Sequence, residues 1–157
     1  MELRVAAKVD AADREYFETI RDALDEPHVK FLKEIGDSDK CAFLSNAAAL
    51  LFPIDWPEPF GLVMIESLSC GTPVIAFRGG SVEEIIEDGV TGFIVDSVDE
   101  AVEAVERLSS IDRRACRTAF EKRFSATRMC HDYLRVYQRV IEETAASGPE
   151  LGEEAVA

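Results

Sequence analysis

No run of apolar residues in this chain approaches the ~20 that a membrane-spanning helix needs, and the N-terminus carries no signal-peptide pattern. Both absences point to a cytoplasmic setting. Cysteine is sparse and scattered: Cys41, Cys70, Cys116 and Cys130 form no C-x-x-C pair, so zinc and thiol-redox motifs lack support. Reduced, mostly buried thiols are expected instead. No G-x-G-x-x-G turn follows any candidate strand, which argues against a dinucleotide-dependent oxidoreductase. Positive charge is also short. With 17 Lys and Arg against 31 Asp and Glu, the net charge of −14 disfavours nucleic-acid backbones, and no nucleic-acid partner is expected.

The shortage of bases is uneven. Ser81 to Leu108 holds nine acids and one base, whereas Ile111 to Arg139 holds eight bases and three acids. Solvated helix faces account for both blocks. The sharper alternative is that the basic segment meets an acidic surface or lipid headgroups, which would be a membrane contact.

What is present is an α/β pattern in 157 residues, enough for one compact domain. Short apolar runs at Leu3–Ala7, Val29–Leu32, Ala48–Phe52, Pro73–Phe77 and Gly92–Val95 read as strands of a parallel Rossmann-like sheet. Amphipathic stretches between them read as helices over 11–25, 38–46, 61–70, 82–88 and 98–108, covering both faces. Ser81-Val82-Glu83-Glu84 and Ser97-Val98-Asp99-Glu100 both fit a capping box. Gly89 suits a helix stop, and Ser125 suits the cap of a long terminal helix. The domain is expected over 1–142, followed by a flexible acidic tail over 143–157.

The segment from Pro53 to Ala76 carries the chemistry. It leaves a strand, crosses a proline-rich loop, enters a helix and returns to a strand. Ligands of open α/β sheets bind at the carboxyl ends of the strands, so this loop is where one should sit. Pro59 stiffens the approach and Gly61 removes a side chain where the helix begins. Amides of Gly61, Leu62 and Val63 would then face an anion at the positive end of the helix dipole. Glu66 follows at roughly 7.5 Å along the axis, a reach that suits a carboxylate accepting the hydroxyls of a ribose. Glu58 precedes the helix, on the side where a sugar would fall. A capping role for Glu58 and a solvated Glu66 is the plain alternative, and spacing by itself leaves both open.

Glu58-Pro-Phe-Gly-Leu-Val-Met-Ile-Glu66 resembles the E-x7-E motif of the group 1 retaining glycosyltransferases with the two-domain GT-B fold. Ser69-Cys-Gly-Thr-Pro-Val-Ile-Ala76, Gly79-Gly80, Glu83-Glu84-Ile85-Ile86 and Asp88-Gly-Val-Thr-Gly-Phe-Ile-Val95 match the same family in order and spacing. The resemblance implies the donor-binding C-terminal half of such an enzyme, with a nucleoside-diphosphate sugar as donor substrate and no metal or other cofactor. Glu58 becomes the catalytic candidate, binding the donor sugar together with the backbone of Phe60 and Gly61. Gly61 and Leu62 amides would contact phosphate, Glu66 the ribose, and Leu32 with Lys33 the base. The family usually has glycine where Lys33 stands.

The resemblance also implies gaps. The family's domain opens with an earlier strand and an Arg/Lys diphosphate clamp, and an N-terminal acceptor domain supplies a histidine that neither His28 nor His131 matches. The partners expected are therefore a nucleotide sugar, that acceptor domain, and another copy of the chain if it fills the incomplete sheet. In strand order 3-2-1-4-5-6 the gap falls at the centre, which predicts closure of Leu3–Ala7 onto Ala48–Phe52 or filling by another chain. Arg78 is the one base expected near the crevice, so the chain alone should bind donor loosely and not transfer. A non-catalytic nucleotide-sugar-binding or assembly module is the rival reading. A non-hydrolysing sugar-nucleotide epimerase fits less well, since its helix start should read Ser-Gly-Gly.

Overall fold

Strands and helices alternate along the chain, and every strand pairing is parallel. A computed structural model describes residues 1–147. They divide into two compact units, 1–47 and the residues from Ala48 onward.

The first unit contains β1 (Leu3–Val5), a 3-10 turn at Ala11–Asp13, α1 (Arg14–Leu24), β2 (Val29–Phe31) and α2 (Asp37–Ser45). β1 and β2 pair in parallel with Leu3 opposite Val29. Leu32 N–H donates to Val5 O at 2.8 Å and Ala7 N–H to Lys33 O at 3.1 Å, extending the contact past the strands. Phe17 of α1 packs its ring 5.4 Å from that of Phe31. Leu44 is the only fully buried residue of this unit. Lys33 has φ 59, the one non-glycine among the described residues in the left-handed region. A glycine would take that conformation without the ~1–2 kcal/mol steric penalty of an L side chain.

The second unit holds β3 (Leu50–Phe52), α3 (Leu62–Ser69), β4 (Val74–Phe77), α4 (Val82–Ile85), β5 (Gly92–Val95), α5 (Val98–Glu106), α6 (Arg113–Arg123) and α7 (Ala126–Ser147). Its sheet runs β3-β4-β5. Val74, Ile75 and Ala76 are all buried although alternate residues point to opposite faces, so both faces of β4 are covered. Met64, Leu68, Val82, Ile85, Ile86, Phe93, Val95, Ala104, Ile111 and Cys116 complete the core. α3 closes with paired turns at its C-terminus: Thr72 N–H donates to Ser67 O and Gly71 N–H to Leu68 O, both at 2.9 Å.

The basic block has a structural use. From α6, Arg113 donates to Thr72 Oγ1 at 2.7 Å, Arg117 to Ser69 O at 2.5 Å, and Arg123 to Glu84 O and to Glu87 Oε1. These arginines satisfy groups where α3 and α4 end, places where backbone carbonyls lack helical partners.

Several expectations are corrected. The strand expected over Leu3–Ala7 is confined to Leu3–Val5, and that over Ala48–Phe52 to Leu50–Phe52. The helix expected over 82–88 ends at Ile85, because Thr91 accepts the Glu87 amide and Gly89 turns the chain toward Gly92. Ser81 forms no capping bond, since its backbone is helical (φ −79, ψ −2) rather than extended. Ser97 does cap, accepting Glu100 N–H at 3.2 Å, and Ser125 accepts Arg128 N–H at 3.3 Å. Cys116 is buried, but Cys41 and Cys130 are exposed. Lastly, α7 continues past Glu142 to Ser147, and the rest of the acidic tail expected over 143–157 lies outside the described residues.

Candidate functional site

The loop between β3 and α3 is held by short-range bonds that follow from its sequence. Glu58 N–H donates to Trp56 O at 2.8 Å, closing a tight turn over Pro57. Glu58 Oε1 then accepts the amides of Phe60 at 3.2 Å and Gly61 at 3.0 Å. The carboxylate of Glu58 thus lies at the amino end of α3, where the helix dipole favours negative charge. One oxygen is fixed by two amides and the other points elsewhere.

Two glycines allow this geometry. Gly61 is the N-cap of α3 at φ 69, and a Cβ there would lie 2.2 Å from Met64 Cε. Gly80, at φ 53, lets the β4–α4 turn press against the loop: a Cβ would fall 2.3 Å from Glu58 O. Ser81 N–H donates to Glu58 O at 2.8 Å, which ties the two loops together. Ser81 Oγ is buried there without a hydrogen-bond partner.

Gly61, the N-cap, has no side chain to cap α3, and its amide, expected to meet phosphate, is bound by Glu58 Oε1 instead. The amides of Leu62 and Val63 are therefore available to an external acceptor, as at other helix starts. Phe60 and Leu62 expose their side chains around this end, at 58% and 64%. Glu66 stands half-buried on the second turn of α3.

The structure brings Glu58, Phe60, Gly61 and Leu62 into one continuous turn and sets Glu66 on the helix they start. Leu32 and Lys33 belong to the first unit. Among the described residues no group of His, Cys, Asp and Glu could hold a metal ion. Arg78, expected as a counter-charge for phosphate, is already engaged. Its Nε lies 3.0 Å from Asp96 Oδ1 and its Nη1 2.5 Å from Glu83 Oε1, and these partners, Asp96 first, raise its pKa above the ordinary guanidinium value. The cap at Glu58 is the plain alternative that spacing had left open, and sequence reading missed the hollow flanked by Trp56, Arg78 and Asp96. The aromatic in Asp55-Trp56-Pro57 was the available signal for that hollow.

The family model of the glycosyl transferases group 1 matches residues 10–123. The chain belongs to that family. An uncharacterized 41.2 kDa protein in the cps region of Klebsiella pneumoniae is 30% identical to this chain over 145 residues, covering 83% of the chain and 40% of that relative. The phosphatidyl-myo-inositol mannosyltransferase of Mycobacterium leprae is 28% identical over 120 residues, covering 72% and 32%. Among solved structures, Anabaena Alr3699/HepE in complex with UDP and glucose superposes with a TM-score of 0.76 at 19% identity, covering 88% of this chain and 40% of that one. The fold is therefore the Rossmann-like α/β fold of the GT-B enzymes. The chain spans about two-fifths or less of the length of these relatives.

Proposed function

We propose that this chain is the donor-binding half of a retaining glycosyltransferase, taking a nucleoside-diphosphate sugar through the amino end of α3. The observation that carries the reading is Glu58, whose carboxylate is clamped by the Phe60 and Gly61 amides. So fixed, it presents its second oxygen to the hydroxyls of the donor sugar and orients the sugar for transfer. The uncapped Leu62 and Val63 amides face the diphosphate, stabilising the charge that grows as the bond between sugar and phosphate breaks. Glu66, further along α3, accepts the ribose hydroxyls. That Alr3699/HepE was solved with UDP and glucose supports a nucleotide sugar as the ligand.

With Arg78 neutralised by Asp96 and Glu83, no arginine or lysine on this loop offsets the diphosphate. The chain alone is therefore a loose binder without turnover, and the donor domain's Arg/Lys diphosphate clamp together with an acceptor domain completes the enzyme. A non-catalytic binding module would use the same residues, but membership of a transferase family favours the catalytic reading. Calorimetry of the chain against UDP-, GDP- and ADP-sugars tests the assignment. One class should bind, and Glu66→Ala should weaken it by roughly tenfold, the effect of hydrogen bonds to one charged group. Unchanged affinity in the variant removes the ribose role; turnover by the chain alone removes the half-enzyme reading.

A further inference from the structure

Beyond the turn at Trp56, the carboxyl ends of β4 and β5 frame a second hollow of about 370 Å³. Asp55, Trp56, Phe77, Arg78 and Asp96 line it. The volume lies within the roughly 300–1,000 Å³ typical of small-molecule sites. Trp56, the only tryptophan of the chain, is 54% exposed there. Pro57 restricts its backbone, and the Glu58 N–H to Trp56 O bond fixes the turn that carries the indole. A rigid, flat apolar ring gains most when another flat apolar surface covers it.

The polar wall is equally well set. Arg78 bridges Asp96 and Glu83, and Asp96 N–H donates to Glu100 Oε2 at 2.8 Å. Arg78 uses Nε and Nη1 in those pairs and keeps Nη2–H donors for a ligand. Charge then selects the ligand class. Asp96 and Glu83 pair with one guanidinium and Asp55 lines the same hollow, so a phosphate is repelled and Arg78 disfavours a cation. What remains is a neutral molecule with one apolar face and several hydroxyls.

We propose that this hollow is a carbohydrate subsite in which a pyranoside lays its C–H face on Trp56 while its hydroxyls donate to Asp55 and Asp96 and accept from Arg78. Trp56 lies two residues before Glu58 on the same loop, so the ligand here is the acceptor sugar, held beside the donor. That role rests on the donor-site reading; the binding itself does not.

The single indole N–H makes the hollow observable in a ¹H–¹⁵N spectrum of the full chain. Separate titrations use the methyl α-pyranosides of glucose, mannose and galactose, then UDP, with glycerol as the polyol control. At least one methyl glycoside should shift the Trp56 indole resonance saturably, with half-saturation on the order of 1–10 mM. Arg78→Ala and Asp96→Asn should each weaken that response about tenfold. The subsite is overturned if no methyl glycoside shifts the indole saturably, if both variants titrate like the parent, or if UDP or glycerol moves it equally. A silent indole with UDP-responsive Leu62 and Val63 amides defeats the subsite and spares the donor site. The opposite pattern keeps the subsite and defeats its acceptor role.

Discussion

Residues 1–47 and those from Ala48 onward follow the same strand-helix-strand plan but bury very different amounts of it. In the first unit Leu44 alone is fully buried, and the faces of β1 and β2 remain half open. The second wraps β4 on both sides and clips its helix ends with arginines from α6. Pattern thus fixes element type in both, while burial fixes how firmly they are held. The difference bears on recognition. Glu58, Gly61 and Glu66 sit on the packed unit, whose loops are locked by glycine contacts and backbone bonds. Leu32 and Lys33, the residues expected to meet a base, sit on the loosely buried one, and Lys33 is strained.

The largest expected effect sets the two cores against each other. Leu68→Ala, at a fully buried position, should destabilise the second unit by about 3 kcal/mol, while Val5→Ala in half-buried β1 should cost under about 1 kcal/mol. Urea unfolding measures both, and equal losses would erase the contrast. Next, Lys33→Gly relieves a left-handed φ and should stabilise the first unit by up to about 1 kcal/mol, the strain relief being partly offset by the freer unfolded chain. Amide exchange in β1 and β2 should slow accordingly; faster exchange would show that the strain is not there. The smallest effect concerns α7. Hydrogen bonds from Arg128 and then Arg135 hold the Asp132 carboxyl below its ordinary pKa. A depressed carboxylate contributes stability above its unfolded-state pKa and loses it as pH falls through the folded one. Helicity of α7 should therefore decline slightly more in acid for the parent than for Asp132→Asn, by circular dichroism.

Element order and the Glu58–Glu66 segment were legible in the sequence because both rest on local rules: strand–helix alternation, a capping serine at Ser97, and a glycine at a helix start. What escaped was tertiary. Ser81 fits a capping box in sequence, yet its amide is drawn to Glu58 O and its hydroxyl is buried, which no local pattern reveals. Arg78 looked free in sequence because Asp96 lies 18 positions away. Spacing left Glu58 between facing a ligand and capping the helix, and the turn at Gly61 bends two amides back onto it. The left-handed Lys33 sits where the family resemblance already noted a departure from glycine.

The most direct test of the donor site is an assigned ¹H–¹⁵N titration of the chain with UDP. The account predicts that the largest shifts fall at Phe60, Gly61, Leu62 and Val63, with Glu66→Ala weakening the response. Shifts concentrated elsewhere, with those four amides unmoved at saturation, would contradict it.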